Sequence, residues 1–210
     1  MSVDGAMHQK SGQPGPAATR SGEAARRGTG DEAPLGRHEP MSSGSALLEA
    51  ALKRENLMAA WKRVKANQGS AGVDGRSIEA TGAYLKQHWP QIREALLRGT
   101  YRPCPVRRVA IPKPDGGERE LGIPTVLDRL IQQALLQVLQ PLIDPTFSPH
   151  SYGFRPGRGC KDALRRVDEL LKQGHVYVVD ADLKSYFDSI PHAPLMARLE
   201  TKIADGSVLK

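Results

Sequence analysis

Apolar residues recur at helical spacing along several stretches of the chain. Leu48, Leu52, Met58, Trp61 and Val64 mark a helix that Ser45 can cap and that should end near Asn67-Gln68-Gly69. A glycine-rich turn, Gly72-Val73-Asp74-Gly75, follows. Ser77 to Arg98 reads as helical on Ile78, Tyr84, Leu85, Trp89, Ile92, Leu96 and Leu97, with Pro90 opening a second helix. Val106 to Ile111 alternates apolar and basic residues, imperfectly, and reads as a strand. Pro112-Lys113-Pro114-Asp115-Gly116-Gly117 is a turn, and Glu118 to Ile123 returns as the second strand of a β-hairpin with a basic stem. Pro124 or Thr125 opens an amphipathic helix through Leu142, with Leu127, Leu130, Ile131, Leu135, Val138 and Leu139 on its apolar side. Residues 144–157 form a loop, and Lys161 to Lys172 a helix. Val176-Tyr177-Val178-Val179 is nearly continuous in apolar residues, which predicts an interior strand over 176–181. Leu195–Ile203 reads as a last helix, with Asp205 in the loop after it.

The first 45 residues differ from all of this. They hold eighteen Gly, Pro and Ser and no aromatic residue, too little apolar surface to offset the entropy of ordering. A disordered tail is expected over 1–45, followed by folded chain. The tail has neither the apolar stretch of a secretory signal nor the acid-poor composition of a transit peptide, so a cytoplasmic protein of bacterial type is expected. Met41 is an alternative start. Of the 210 residues 39 % are apolar, enough for a core, and no run approaches the ~18 apolar residues of a membrane helix. No membrane partner is expected.

Charge sharpens the picture by its location. The chain carries 30 Lys and Arg against 23 Asp and Glu, a net +7. The tail balances five positive residues with five negative ones, so the excess lies in 46–210 and points to a phosphate-rich partner. Cys104 and Cys160 have no Cys or His neighbour at zinc spacing, and buried free thiols are the simplest reading. The six histidines are scattered, and there is no P-loop, dinucleotide fingerprint or serine elbow, so hydrolase and nucleotide-switch readings have no support.

Three groups of residues can carry chemistry. Asp180 and Asp182 project to one side of the predicted strand. They either bind Mg²⁺ or divide between capping a helix and pairing with a cation. Arg107, Arg108, Lys113 and Arg119 on the hairpin suit a triphosphate or a nucleic-acid backbone, or else are solvated edge charges. Arg155, Arg158, Lys161, Arg165 and Arg166 against Asp162 form a second basic cluster, interleaved with Tyr152 and Phe154. Phosphate contact with base stacking, or a solvated helix face with loop-anchoring aromatics, both account for it.

Taken together, the segments resemble the group II intron reverse transcriptase/maturase family. The resemblance runs from about Asn56 to the end of the chain. It rests on Trp61-Lys62-Arg63-Val64-Lys65-Ala66-Asn67, Gly69, Gly72-Val73-Asp74-Gly75, Tyr101-Arg102-Pro103 and Ile111-Pro112-Lys113-Pro114. It continues through Leu121-Gly122-Ile123-Pro124-Thr125 with Asp128-Arg129, then Ser151-Tyr152-Gly153-Phe154-Arg155-Pro156-Gly157-Arg158. Last comes Ala181-Asp182-Leu183-Lys184-Ser185-Tyr186-Phe187-Asp188-Ser189-Ile190. The resemblance implies an α+β fold, with a fingers region over 46–174 and the start of a right-hand polymerase palm over 175–210. It implies RNA-directed DNA polymerase chemistry by two Mg²⁺ ions, with intron RNA, a primer/template and dNTP as partners. Asp182 corresponds to the first metal-binding aspartate, and the Leu183 carbonyl faces the same ion. Tyr186 takes the place of the aromatic residue beneath the incoming sugar. Lys113 and Arg119 correspond to the fingertip cations on the triphosphate. Arg107, Arg108, Arg155 and Arg158 are candidate RNA contacts.

The family also has an Asp-Asp pair beyond the first aspartate, and none occurs in the 210 residues. After Asp182 only Asp188, Glu200 and Asp205 are acidic. The expectation is an amino-terminal portion of such an enzyme that cannot polymerise DNA alone. Its alternatives are a non-catalytic RNA-binding fragment and half of a split enzyme whose second polypeptide brings the rest of palm and thumb.

Overall fold

The computed structural model describes residues 46–114, 116–183 and 185–209. The tail read over 1–45, the Ser45 cap and Lys184 lie outside these residues.

The central element is α4, Val126–Ile143. It forms where the sequence predicts. Thr125 caps it, its hydroxyl accepting from the Asp128 amide at 3.1 Å. Leu130, Ile131 and Ala134 lie buried on one face. Against that face pack α1, Ala46–Ala51, and α2, Arg54–Ala66. Ala60 of α2 and Ala134 of α4 are almost wholly buried together with Leu130, and Leu57, Trp61 and Leu85 close over them. Small residues at this seam let the two helices approach closely.

The single helix expected from residue 45 to 67 is broken at Leu52-Lys53, giving α1 and α2. A polar bracket holds the break. The Asn56 amide donates to the carbonyls of Ala51 at 2.8 Å and Ala134 at 3.0 Å. The Gln137 amide of α4 donates in turn to the Asn56 side chain at 2.6 Å. Satisfying the last carbonyls of α1 in this way lets the chain turn without leaving buried acceptors unpaired.

Two helices were expected between Ser77 and Arg98, and one is found, α3, Ile78–Leu97. Pro90 deletes one backbone donor but does not break it. Ser77 caps the start, accepting from the Ala80 amide at 3.2 Å, and Thr81 and Ile92 are buried on either side of Pro90. Packing outweighs the local penalty. The turn before α3 shows why glycine stands at Gly72. A Cβ there would lie 2.6 Å from the Thr125 Cα, so the turn passes directly over the cap of α4. Gly75 in the same turn has φ +66°.

β1, Arg107–Pro112, and β2, Glu118–Ile123, pair antiparallel from Arg107 opposite Ile123 to Pro112 opposite Glu118. They are the sheet found among the described residues. After α4 a short 3₁₀ turn, Asp144–Thr146, leads to the loop before α5, Cys160–Lys172. Then come α6, Tyr186–Ser189, and α7, His192–Glu200. The chain finally returns to α1. Asp205, fully buried, accepts from the Leu47 amide at 2.7 Å and the Leu48 amide at 3.1 Å, capping α1 from 157 residues away. Burial pushes the Asp205 carboxyl up, but hydrogen bonds from Ser207, Leu48 and Leu47 outweigh it and hold it below its ordinary value. The architecture is α+β.

Two further expectations are corrected. Cys104 and Cys160 are free, as read, but exposed rather than buried. Cys104 lies in the extended strap before β1, which is fastened through its backbone. The run 176–181 is not an interior strand. It is irregular, and Val176, Tyr177, Val178 and Val179 are 72–95 % exposed. No strand among the described residues pairs with it, and an unpartnered strand in water gains too little to offset its ordering. No helix among the described residues is long and apolar enough to cross a membrane.

The close approach at Gly72 generates a prediction. Gly72→Ala forces apart the turn and the α4 cap, costing about 1–3 kcal/mol. Urea unfolding followed by circular dichroism should show a lower midpoint at unchanged slope. An unchanged midpoint would mean that the turn does not rest on Thr125.

Candidate nucleic-acid interface

The hairpin is fastened at its base by a buried carboxylate. Asp128 is 4 % exposed, in the first turn of α4. It accepts from the Tyr101 hydroxyl at 2.7 Å, the Cys104 amide at 3.2 Å and the Thr125 hydroxyl at 2.6 Å. Burial, and then the bond to Asp128, push the Tyr101 phenol far above its ordinary value, so it remains a donor at every physiological pH. The strap 101–104 is thereby pinned to α4 immediately before β1. Arg129 adds a second tie, donating to the Gly69 and Ser70 carbonyls. The sequence places Asp128-Arg129 in a family motif, but nothing in the pattern reveals the partners other than Thr125, which lie 24 to 60 positions away.

At the far end, Lys113 opens the hairpin turn, its amide donating to the Gly117 carbonyl at 2.7 Å. Arg119 lies one residue inside the other strand, opposite Ile111. The two candidate triphosphate cations therefore share one end of the hairpin. Facing pairs in an antiparallel ladder share a side, so Arg107, opposite Ile123, stands on the same side as Arg119. Arg108 stands on the other side, in an exposed ion pair of 3.6 Å with Glu120. Such a pair contributes little to stability but lowers the net charge of that side.

The loop 144–158 is organised around Arg155. Its Nε donates to Asp144 Oδ1 at 2.9 Å. Its Nη2 donates to Asp144 Oδ2 at 3.1 Å and the Asp144 carbonyl at 2.9 Å. Its Nη1 donates to the carbonyls of Ser148 at 2.8 Å and Ser151 at 3.1 Å. All five guanidinium donors are engaged, and the side chain is 6 % exposed. Arg155 thus anchors the loop from within and presents no donor to a phosphate. The bound Arg155 holds the Asp144 carboxyl below its ordinary value. Arg158 stays exposed, donates to the Pro149 and Ser151 carbonyls, and lies 5.8 Å from the Tyr152 ring centroid.

Wound on this anchor, Phe154 has φ +54° and its side chain is wholly exposed, 105 % relative to the free residue. A bulky residue in the left-handed region is strained by about 1–2 kcal/mol.

Asp182 and Leu183 lie exposed in the irregular segment after 176–179. Tyr186 opens α6, half exposed, its ring 5.6 Å from that of Phe187. Two of the later acids are accounted for elsewhere or locally: Asp205 caps α1, and Asp188 lies within α6 beside Tyr186. Among the described residues no three His, Cys, Asp or Glu gather. The Asp182 carboxylate and the Leu183 carbonyl are oxygen donors of the kind Mg²⁺ prefers, but two donors do not build its octahedral shell. These described residues supply part of a magnesium shell, not a complete site.

Residues 111–208 match the sequence model of the family described as reverse transcriptase (RNA-dependent DNA polymerase). The chain is 40 % identical over 139 residues to Protein YkfC of Escherichia coli, covering 64 % of this chain and 36 % of that protein. It is 35 % identical over 147 residues to the group II intron-encoded protein LtrA of Lactococcus lactis, covering 70 % of this chain and 24 % of that one. It is also 35 % identical over 161 residues to an uncharacterized 91 kDa protein in a cob intron of Schizosaccharomyces pombe, covering 73 % and 19 %. The chain spans between about a fifth and just over a third of the length of these relatives.

The anchor predicts a pH dependence. A depressed carboxyl contributes stability that is full above its unfolded pKa of about 3.9 and is lost as pH falls through the lower folded value. The Arg155 Nε–H chemical shift should therefore hold from neutral pH down through the ordinary carboxylate range and move only as pH falls below it. Arg155→Lys should lose the loop's order at every pH. A loop equally ordered in Arg155→Lys would contradict the anchoring role.

Proposed function

We propose, from the premise that the chain belongs to the reverse transcriptase family of group II intron-encoded proteins, that it is the part of such an enzyme that grips nucleic acid and the incoming nucleotide. The observation that carries this is the hairpin. It lies at the start of the family match, is fixed at its base by Asp128, and brings Lys113 and Arg119 to one exposed end. Flexible cations on a rigidly rooted hairpin suit the triphosphate of a dNTP, neutralising charge on the transferred phosphate. Arg107 on the same side and Arg158 on the loop before α5 suit phosphates of an RNA template or of intron RNA. Tyr186 suits the sugar of the incoming nucleotide. In the whole enzyme Mg²⁺ would supply charge neutralisation at the reacting phosphate, and Asp182 with the Leu183 carbonyl would contribute part of its shell.

A second reading, half of a split enzyme, is favoured by one observation. The apolar run 176–179 is exposed and unpaired. A strand supplied by a second polypeptide would cover it and place further carboxylates beside Asp182.

Ultraviolet cross-linking of labelled dTTP to the full chain, bound to an RNA template with a DNA primer, tests the proposal. Label should fall on the hairpin. The double substitution Lys113→Ala, Arg119→Ala should lower it about tenfold or more, as expected for lost charge-assisted hydrogen bonds. Labelling indifferent to both substitutions would refute the gripping role. The same 210-residue polypeptide should give no primer extension with Mg²⁺, and robust extension would show that it contains a complete catalytic centre.

A further inference from the structure

The strained aromatic on the loop before α5 has no structural use within the chain. Phe154 makes no buried contact, yet it is held at φ +54° in a conformation that glycine would adopt freely. The loop is not loose. Arg155, the next residue, fixes it with five hydrogen bonds to Asp144, Ser148 and Ser151. An outlier over-determined by its surroundings and turned entirely to solvent points to a ligand.

The surroundings name the ligand's chemistry. Arg158 is exposed a few residues on, beside the Tyr152 ring. Lys161 follows at the start of α5 and has no acidic partner among the described residues. Asp162 is drawn off by Arg165 at 2.6 Å and by the Gly159 amide at 2.9 Å, so it does not cancel these charges. An exposed aromatic ring followed along the loop by the exposed cations Arg158 and Lys161 suits an anionic polymer with flat apolar faces, which is single-stranded nucleic acid.

We infer that Phe154 is a stacking platform for an unpaired RNA base, with Arg158 and Lys161 holding the adjoining phosphates. This is a contact separate from the hairpin cations and from Asp182. It rests on the nucleic-acid reading above only for the class of ligand, and it requires neither nucleotide binding nor catalysis.

The test is oligouridylate binding by the full chain at raised salt, where the non-specific phosphate contribution is reduced. Phe154→Ala should weaken binding roughly tenfold, the scale of one lost base stack, and Phe154→Tyr should retain it. Phe154→Gly should weaken binding equally while raising the melting temperature, since the strain disappears with the ring. Phe154→Trp should add a fluorescence component, absent from the unsubstituted chain, that oligouridylate quenches. Two results would overturn the inference. One is wild-type affinity in Phe154→Ala. The other is a chain that sediments as a dimer and becomes monomeric in Phe154→Ala, which would make the ring a protein contact. Failure of dTTP cross-linking at the hairpin would leave these results unchanged, so the two proposals fail separately.

Discussion

The molecule depends on one turn of helix. Thr125 to Arg129 caps α4 and gathers three segments distant in sequence: the strap 101–104 through Asp128, residues 69–70 through Arg129, and the Gly72 turn through backbone contact at Thr125. The Asp128 carboxylate is the critical group. Buried at 4 % exposure, it is tolerable only because three donors reach it. The dependence is reciprocal, because each donor would be orphaned without it. Below this node α4 carries α1 and α2 on its apolar face. Above it stands the hairpin. A basic hairpin on an unpinned strap would sweep its cations through solvent. Pinned, the strap roots the hairpin on the helical scaffold.

Much of this is legible in the sequence, for identifiable reasons. The hairpin is written in turn residues and alternation, and the structure sets it at 107–112 and 118–123. α4 is written in its cap and its apolar stripe. What escapes sequence reading is a partner that only the folded chain supplies. The α1–α2 break depends on Asn56 reaching Ala134. The continuity of α3 through Pro90 depends on packing at Thr81 and Ile92. Asp205 reads as a loop acid and is a cap for the first helix. Arg155 reads as a surface cation because arginines mostly are, yet its neighbourhood of Asp144 and loop carbonyls turns it inward. The run 176–179 shows the converse. Its pattern states what an interior strand needs, but pattern alone cannot provide a partner strand.

The candidate site is therefore divided in kind. Lys113, Arg119 and Arg158 stand exposed on well-anchored backbone, which is how a protein presents charge to a phosphate without a large ordering cost on binding. Asp182 and Leu183 stand exposed on irregular backbone and Tyr186 on the four-residue α6, without the neighbours that would fix them. Leu164, Val167 and Leu171 of α5, with Val176–Val179 and Phe187, leave an apolar surface uncovered along the same stretch of chain.

The most direct test is the affinity of the full chain for structured RNA across a salt series, with its thermal melt recorded beside it by circular dichroism. The account predicts a cooperative melt and sub-micromolar binding that survives moderate salt, because fixed cations act together with a stacking contact. A chain that melts without cooperativity, or whose binding vanishes at modest salt, would contradict the claim that this fold is a preorganised grip on nucleic acid.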